Sequence, residues 1–367
     1  MPKPVRTVLS ITILVFSLCF PAKAQWDFSI PFPKPLEQKP DTVSVTFIGD
    51  VMMHARQLEF DYREFFSELG GITADSGITV ANMEFTLAGK PYTGYPAFSA
   101  PDGYAVYASD CGIDVFLTAN NHILDKGRKG LKRTLQVYEA FRDSLGIQYT
   151  GSALDKEADD MLNPLVVVGH GIRIALVNFT YGTNMKQEDG WPSVKLMEKD
   201  SVKGMIARAR ERNADFIIAL PHWGTEYRLK HSGEQEEWAE WLADQGVDLT
   251  IGAHPHVIQD TSHVNGMPVI YSMGNAVSNM SAKNTQLELA VRARFVSLPD
   301  GSKEMLEPEL YFLWCSLPGD FKENYATIPV KDFEGRRDEW LRPADYDKMM
   351  ATYERVIKET GIYEEND

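Results

Sequence analysis

Two histidines, His254 and His256, flank Pro255 directly after the apolar run Leu249-Thr-Ile251 and Gly252. A short apolar run of this kind reads as a buried parallel strand, which puts the pair at a carboxyl strand end. In extended backbone, residues two apart point the same way. Two imidazoles on one side suit a metal site or a catalytic site; a surface turn that happens to hold two histidines is the plainer alternative. Other reactive residues take the same kind of position. Asp50 follows Val43-Ser-Val-Thr-Phe-Ile48, and Asn82 and Glu84 follow Ile78-Thr-Val-Ala81. Asn120, Asn121 and His122 follow Asp114-Val-Phe-Leu-Thr118, and His222 follows Asp215-Phe-Ile-Ile-Ala-Leu220. Asparagine and aspartate are common in turns, so one or two such matches mean little. Four of the eight histidines at these ends are harder to set aside. Histidine, carboxylate and amide oxygen without cysteine suit a divalent Mn, Fe or Zn ion in a hydrolytic site. A shared carboxylate within such a set suits one or two ions, a pair typically lying about 3.5–4 Å apart.

Positioning these residues requires a sheet whose strands end together. Predicted strands alternate with helical patterns, as in an α/β sheet covered by helices, and in such sheets ligands bind outside the carboxyl ends. Helical spacing is read at 60–69, after Gly127 (Leu131, Leu135, Val137, Tyr138, Phe141), at 201–212, at 235–245 with Trp238, Trp241 and Leu242 on one side, and at 346–360. Arg128, Lys129, Lys132 and Arg133 read as a solvated helix face. Gly169-His-Gly171 between two apolar runs predicts a hairpin with His170 as a solvated tip. Strand-like runs at 269–272, 287–295 and 310–314 argue for a mixed sheet or a pair of packed sheets.

The chain has 367 residues, 44% hydrophobic and 24% charged, an ordinary globular balance. Lys3 and Arg6 precede a nearly unbroken apolar stretch over 8–20, then Ala22-Lys-Ala24. That order predicts a signal peptide over 1–24, cleaved after Ala24, and hence export to the periplasm or cell envelope. Its removal deletes Lys3, Arg6 and Lys23 and no acid, taking the formal charge from −15 to −18. So acidic a chain is a poor ligand for nucleic acid. Residues 25–42 are Pro-rich and read as an extended linker. Cys111 and Cys315 sit among apolar residues and read as two buried thiols, although export permits a disulfide.

The chain resembles the CapA family of capsule-synthesis and poly-γ-glutamate-biosynthesis proteins, itself similar to calcineurin-like metallophosphoesterases. The resemblance rests on Phe47-Ile-Gly-Asp-Val-Met52, Ala81-Asn-Met-Glu-Phe85, Ala119-Asn-Asn-His-Ile-Leu-Asp-Lys-Gly127, Leu220-Pro-His-Trp-Gly-Thr-Glu-Tyr227, Ile251-Gly-Ala-His-Pro-His-Val-Ile-Gln259 and Tyr271-Ser-Met-Gly-Asn275, in the family's order. It implies a metallophosphoesterase-like α/β sandwich of two packed mixed sheets flanked by helices over 44–280, with 281–367 adding strands and a helix to the same body. It implies that Asp50 and His256 hold one metal, that Glu84 bridges, and that Asn121, His222 and His254 hold a second. His122 would protonate a leaving group or hold a phosphate. Asn82, Asn120, Glu226 and Asn275 are candidates for substrate contact or support of the ligands. The phosphoesterase first motif is Asp-x-His, whereas Met52 stands two after Asp50 here. His54 is a substitute only if the turn curls back; otherwise it is a polar helix start. His231 and His263 read as surface residues.

Two functions follow from different classes. One is an exported metal-dependent phosphoesterase-like hydrolase acting on a phosphoester or an anionic capsule-type polymer. The other is a non-catalytic polymer-binding or export subunit, working with capsule-synthesis membrane proteins and gripping carboxylates through bound metal.

Overall fold

The computed structural model describes residues 29–31, 42–74 and 76–363. The expected signal peptide and most of the Pro-rich linker lie outside these residues. In chain order the strands are β1 Ser29–Pro31, β2 Thr42–Val51, β3 Ile78–Met83, β4 Val115–Leu117, β5 Gln148–Thr150, β6 Ser152–Ala153, β7 Leu165–Gly169, β8 Ile172–Thr180, β9 Ser193–Val194, β10 Phe216–His222, β11 Leu249–Ile251, β12 Thr261–Val264, β13 Met267–Ile270, β14 Leu287–Ser297, β15 Lys303–Met305, β16 Glu309–Ser316 and β17 Ala326–Pro329. One sheet runs β1-β7-β8-β10-β11-β13-β12 and the other β17-β16-β14-β2-β3-β4-β5, with β15 beside β14 and a small β6-β9 pair apart. Both are mixed: β8, β10, β11 and β13 are parallel, as are β2 to β5, while β7/β8, β12/β13, β2/β14 and β14/β16 are antiparallel.

Period-two alternation builds the layers. On β10, Phe216, Ile218 and Leu220 face a core shared with the second sheet, whereas Ile217 and Ala219 face a separate core on the other side. That outer core takes Val202, Met205, Ile206 and Ala209 from the helix Lys199–Glu211, and Trp238, Ala239 and Leu242 from the helix Gly233–Asp244. The spacing of both sets is that of one helical face. Ser232 and Gln235 form a capping box that starts the second helix. Between the sheets, Phe216 meets Phe295 at 4.8 Å between ring centroids. Asn178 Oδ1 accepts from the backbone N–H groups of Thr118 and Ala119, tying β8 to the loop after β4. The result is the mixed α/β sandwich the sequence predicts, with helices flanking the packed sheets. Residues past 280 enter its centre: β14 lies between β2 and β16. Among the described residues no helix is long and apolar enough to cross a membrane.

Several local expectations need correction. The helix expected at 60–69 is two 3₁₀ turns, Gln57–Glu59 and Tyr62–Glu64, followed by a short helix Gly70–Ala74. Here aromatic packing overrides periodicity: Phe60 and Phe65 lie edge-on to Tyr325, and Phe66 stacks near-parallel to Tyr104 and Tyr107. Part of the expected linker, Ser29–Pro31, is an edge strand parallel to Val166–Val168. Helices Asp102–Asp110 and Lys156–Leu162 were not predicted. Cys111 and Cys315 are free thiols, and only Cys315 is fully buried. His231 is not a plain surface residue: it stacks on Tyr271 at 3.9 Å and bonds to Asp260.

Candidate metal centre

Strands from both sheets end at one place. β2, β3 and β4 deliver Asp50, Asn82, Glu84, Asn121 and His122; β10 and β11 deliver His222, His254 and His256. Parity decides His222, which shares the inner face of β10 with Ile218 and Leu220. Gly252 is required where β11 stops, because a Cβ there would lie 2.1 Å from the Tyr271 carbonyl oxygen and 2.3 Å from Trp223 Nε1. The His-Pro-His segment is a turn, so the parity of extended backbone does not align its two rings. His254 has φ 99° and His256 φ 56°, so the chain curls to keep both rings on the site, 5.9 Å apart. Positive φ is costly for non-glycine residues, and here it occurs at two ligand candidates.

One donor atom from each of Asp50, Glu84 and His256 lies within 4.8 Å of the others, and the same holds for Glu84, His222 and His254. Glu84 belongs to both sets. Its Oε1 is 3.6 Å from His222 Nε2 and 3.9 Å from His122 Nε2, and its Oε2 is 4.0 Å from His256 Nδ1. Asn121 Oδ1 lies 2.9 Å from His222 Nε2. Asp50 Oδ2 is 3.3 Å from His256 Nδ1 and accepts from the His254 backbone N–H at 3.3 Å.

A divalent cation fits this arrangement. Among the described residues, both Glu84 oxygens and His254 Nδ1 are buried with no hydrogen-bond partner. Buried polar atoms are rarely left so, and an unpaired buried carboxylate is expensive. Burial first, and then the Asp50 carboxylate, raise the Glu84 pKa well above the usual range. Burial, reinforced by neighbouring imidazoles, drives His222 well down and His254 to about 3. Those two rings are neutral and hold lone pairs. His256 moves the other way: burial lowers it, but the hydrogen bond and charge of Asp50 outweigh burial.

Around the donors runs a layer of amides. Asn82 donates to Asp50 Oδ1 at 2.7 Å and faces His222 Nδ1 at 3.3 Å. Asn120 donates to Asn82 Oδ1 and to the Met83 carbonyl. Asn275 Oδ1 meets His256 Nδ1 at 2.9 Å. All three amides are buried, and the contacts given above tie Asn82 and Asn275 to ligand candidates and Asn120 to Asn82 and backbone. Glu226 alone of the four candidate contact residues is exposed. Met52 packs in the apolar core. His54 caps a 3₁₀ turn through its carbonyl, and its Nδ1 accepts from the Asn279 N–H.

His122 lies at the rim with Nδ1 2.7 Å from Asp125 Oδ2 and its ring edge-on to Phe98. Sequence reasoning missed Asp125, although it falls inside the Ala119–Gly127 motif, three after His122. It also missed Asn184 and Tyr181. Asn184 touches Asn121, His122 and Asp125, and the Tyr181 ring lies 4.7 Å from His254. Both belong to an irregular loop after β8, where no periodicity marks them.

Of the four basic residues read as a solvated face, Lys129 and Lys132 are exposed and line a concavity together with Arg128, while Arg133 pairs with Asp102. Lys126, Arg128, Lys129 and Lys132, with Leu154, Trp191 and Pro192, surround about 710 Å³. Arg128 holds the loop that forms its wall, donating to the Asp189 and Trp191 carbonyls.

Comparison with known proteins places this geometry. The chain is 27% identical over 263 residues to the capsule biosynthesis protein CapA of Bacillus anthracis, covering 67% of this chain and 62% of that protein, under two thirds of its length. It is 26% identical over 292 residues to the PGA biosynthesis protein CapA of Bacillus subtilis (strain 168), covering 75% and 72%. Among solved structures, the NAD nucleotidase of Haemophilus influenzae aligns with a TM-score of 0.44 at 14% identity, over 87% of this chain and 68% of that one. The model of the bacterial capsule synthesis protein PGA_cap family matches residues 44–280, the stretch that carries every residue of the candidate metal centre, and the chain belongs to that family.

Proposed function

We propose that this protein is an exported, metal-dependent phosphoesterase-like hydrolase that acts in the synthesis or processing of a capsule or poly-γ-glutamate-type anionic polymer. The observation that carries this reading is Glu84, a buried carboxylate neither of whose oxygens has a hydrogen-bond partner among the described residues, set between two groups of donors. Asp50, Glu84 and His256 would hold one ion, and Asn121, His222 and His254 with Glu84 a second. Divalent metal there supplies Lewis-acid polarisation of a phosphoryl or acyl oxygen. The chain's own contribution is proton handling at the rim. Nδ1 of His122 donates to Asp125, which leaves Nε2 as the ring atom to carry a proton toward a leaving group. Phe98 packs against the ring and fixes its plane.

The test combines metal analysis of the mature protein with assays on a generic phosphodiester and on γ-glutamyl peptides. Bound metal with turnover on either supports the reading; a metal-free protein inert on both overturns it. Export rests on the order of residues 1–24. Intact-mass analysis of envelope protein should find Gln25 at the N-terminus.

The second reading is a polymer-binding subunit without turnover, partnered by capsule-synthesis membrane proteins. The lysine-lined concavity favours it: in an acidic chain, Lys126, Lys129 and Lys132 gather at one opening. Replacing Lys129 and Lys132 by glutamine should weaken binding of a poly-γ-glutamate oligomer and flatten its salt dependence, with phosphodiester turnover unchanged.

A further inference from the structure

The first ion position is one donor short. Its set is Asp50, Glu84 and His256, and the residue two after Asp50, Met52, has its side chain in the core. We infer that Glu226 supplies the missing donor, binding the first divalent cation through its carboxylate from the solvent side of His256. This rests on the reading of the site as a metal centre and assigns one further ligand within it.

Three observations carry the inference. A Glu226 carboxylate oxygen, a His254 nitrogen and a His256 nitrogen lie within 4.8 Å of one another. Glu226 therefore meets the first set through His256 and the second through His254. The loop that bears it is stitched to the turn that bears the histidines: the Tyr227 N–H donates to the Pro255 carbonyl at 2.8 Å. Gly224 and Tyr227 at the loop's two bends have φ 91° and 63°, and the Gln235 side chain lies 2.7 Å from where a Cβ on Gly224 would sit. Glu226 is thus aimed by backbone fixed at both ends. The chemistry agrees, because a hard divalent cation accepts carboxylate oxygen as readily as imidazole. Asp50 and Glu84 are buried whereas Glu226 is exposed, so Glu226 reaches the two histidines from the solvent side.

His54 is the competing donor, and its geometry tells against it. Nδ1 accepts a hydrogen bond from the Asn279 N–H at 3.3 Å, so the neutral ring carries its proton on Nε2. Its ring is held edge-on to Phe98 at 5.1 Å. Among the described residues it joins none of the three-residue donor groups.

Zinc stoichiometry tests this without any assay of activity. The full-length mature protein, stripped with chelator, is titrated with Zn²⁺ against a competing chromophoric chelator, and bound zinc is counted by mass spectrometry. Wild type and His54→Ala should each hold two ions. Glu226→Gln and Glu226→Ala should hold one tightly, with affinity for the other reduced by at least about 10–100-fold, the range seen even when outer-shell partners of a metal are lost. Glu226 is on an exposed loop, and unchanged thermal unfolding of the zinc-free variants checks that they fold. Two tight ions in both Glu226 variants, or a wild type that holds only one, overturns the inference and leaves the metal centre standing. A wild type that binds no zinc overturns both.

Discussion

Asn121 Oδ1 and His222 Nε2, from residues 101 positions apart in the chain, face each other at 2.9 Å. Each is an atom that a divalent cation would take as a ligand. Here they satisfy one another, the imidazole N–H donating to the amide oxygen, while His222 Nδ1 faces the Asn82 amide nitrogen. A nitrogen that carries a proton has no lone pair to give, so loading the site has to move that proton.

Metal binding should therefore release protons, and affinity should fall as pH falls. Glu84 and His256 have raised pKa values and hold their protons to higher pH than an ordinary carboxyl or imidazole, so they compete with the ion as acidity rises. Calorimetric titration with Zn²⁺ in two buffers of different ionisation enthalpy measures the release. Identical heats in both would mean that no proton moves.

Replacing His254 by glutamine should weaken metal binding by at least about 10–100-fold and also alter acid stability. In the fold, burial holds His254 at about 3, against 6.5 for a free imidazole. Below pH 6.5 the unfolded chain takes up a proton that the folded state refuses. Stability from this residue is full above 6.5 and is lost progressively as pH falls toward 3. Denaturant unfolding of the metal-free protein at pH 7 and pH 4 should show a smaller loss for the variant. An equal or larger loss would mean that His254 does not carry the acid limb.

His122→Ala should keep its metal and lose turnover by about 10²–10⁴-fold, the usual worth of a positioned acid or base. The ring belongs to none of the three-residue donor groups, and its Nδ1 is committed to Asp125. A variant with intact metal and unchanged turnover would favour the binding-subunit reading.

Glu288 offers a stability test behind the site. It is wholly buried on β14 and accepts from the Gly49 N–H, and its second oxygen has no hydrogen-bond partner among the described residues. Burial raises its pKa well above normal, with the Gly49 hydrogen bond opposing and Asp50 adding to the rise. A neutral glutamine should be tolerated. Glu288→Ala strands a buried N–H and should cost about 1–3 kcal/mol. Denaturation midpoints compare the two, and equal losses would refute the assignment.

Much of this was legible in one dimension. Apolar runs ending in Asp50, Glu84, Asn121, His222 and His254 marked the strands and the polar residues that gather at their carboxyl ends, because a buried parallel strand is apolar on both faces and its polar residues concentrate at its end. The 60–69 stretch was not legible, because its aromatic residues pack onto Tyr104, Tyr107 and Tyr325, and nothing local announces partners so distant. The basic residues after Asp125 look like any solvated helix face until the loop that ends at Trp191 and Pro192 folds over them.

By itself, then, the sequence determined the alternation of elements, the family, and which residue types stand at strand ends, since these depend on period and order along the chain. Only the tertiary structure decided who meets whom. Asn184 reaches His122 from a loop without periodicity, and Asn275 closes on His256. Met52 turns into the core while Glu226 approaches His254 and His256. Those outcomes depend on how two sheets pack and where a turn at positive φ aims its side chains, and neither is encoded in any short stretch of the chain.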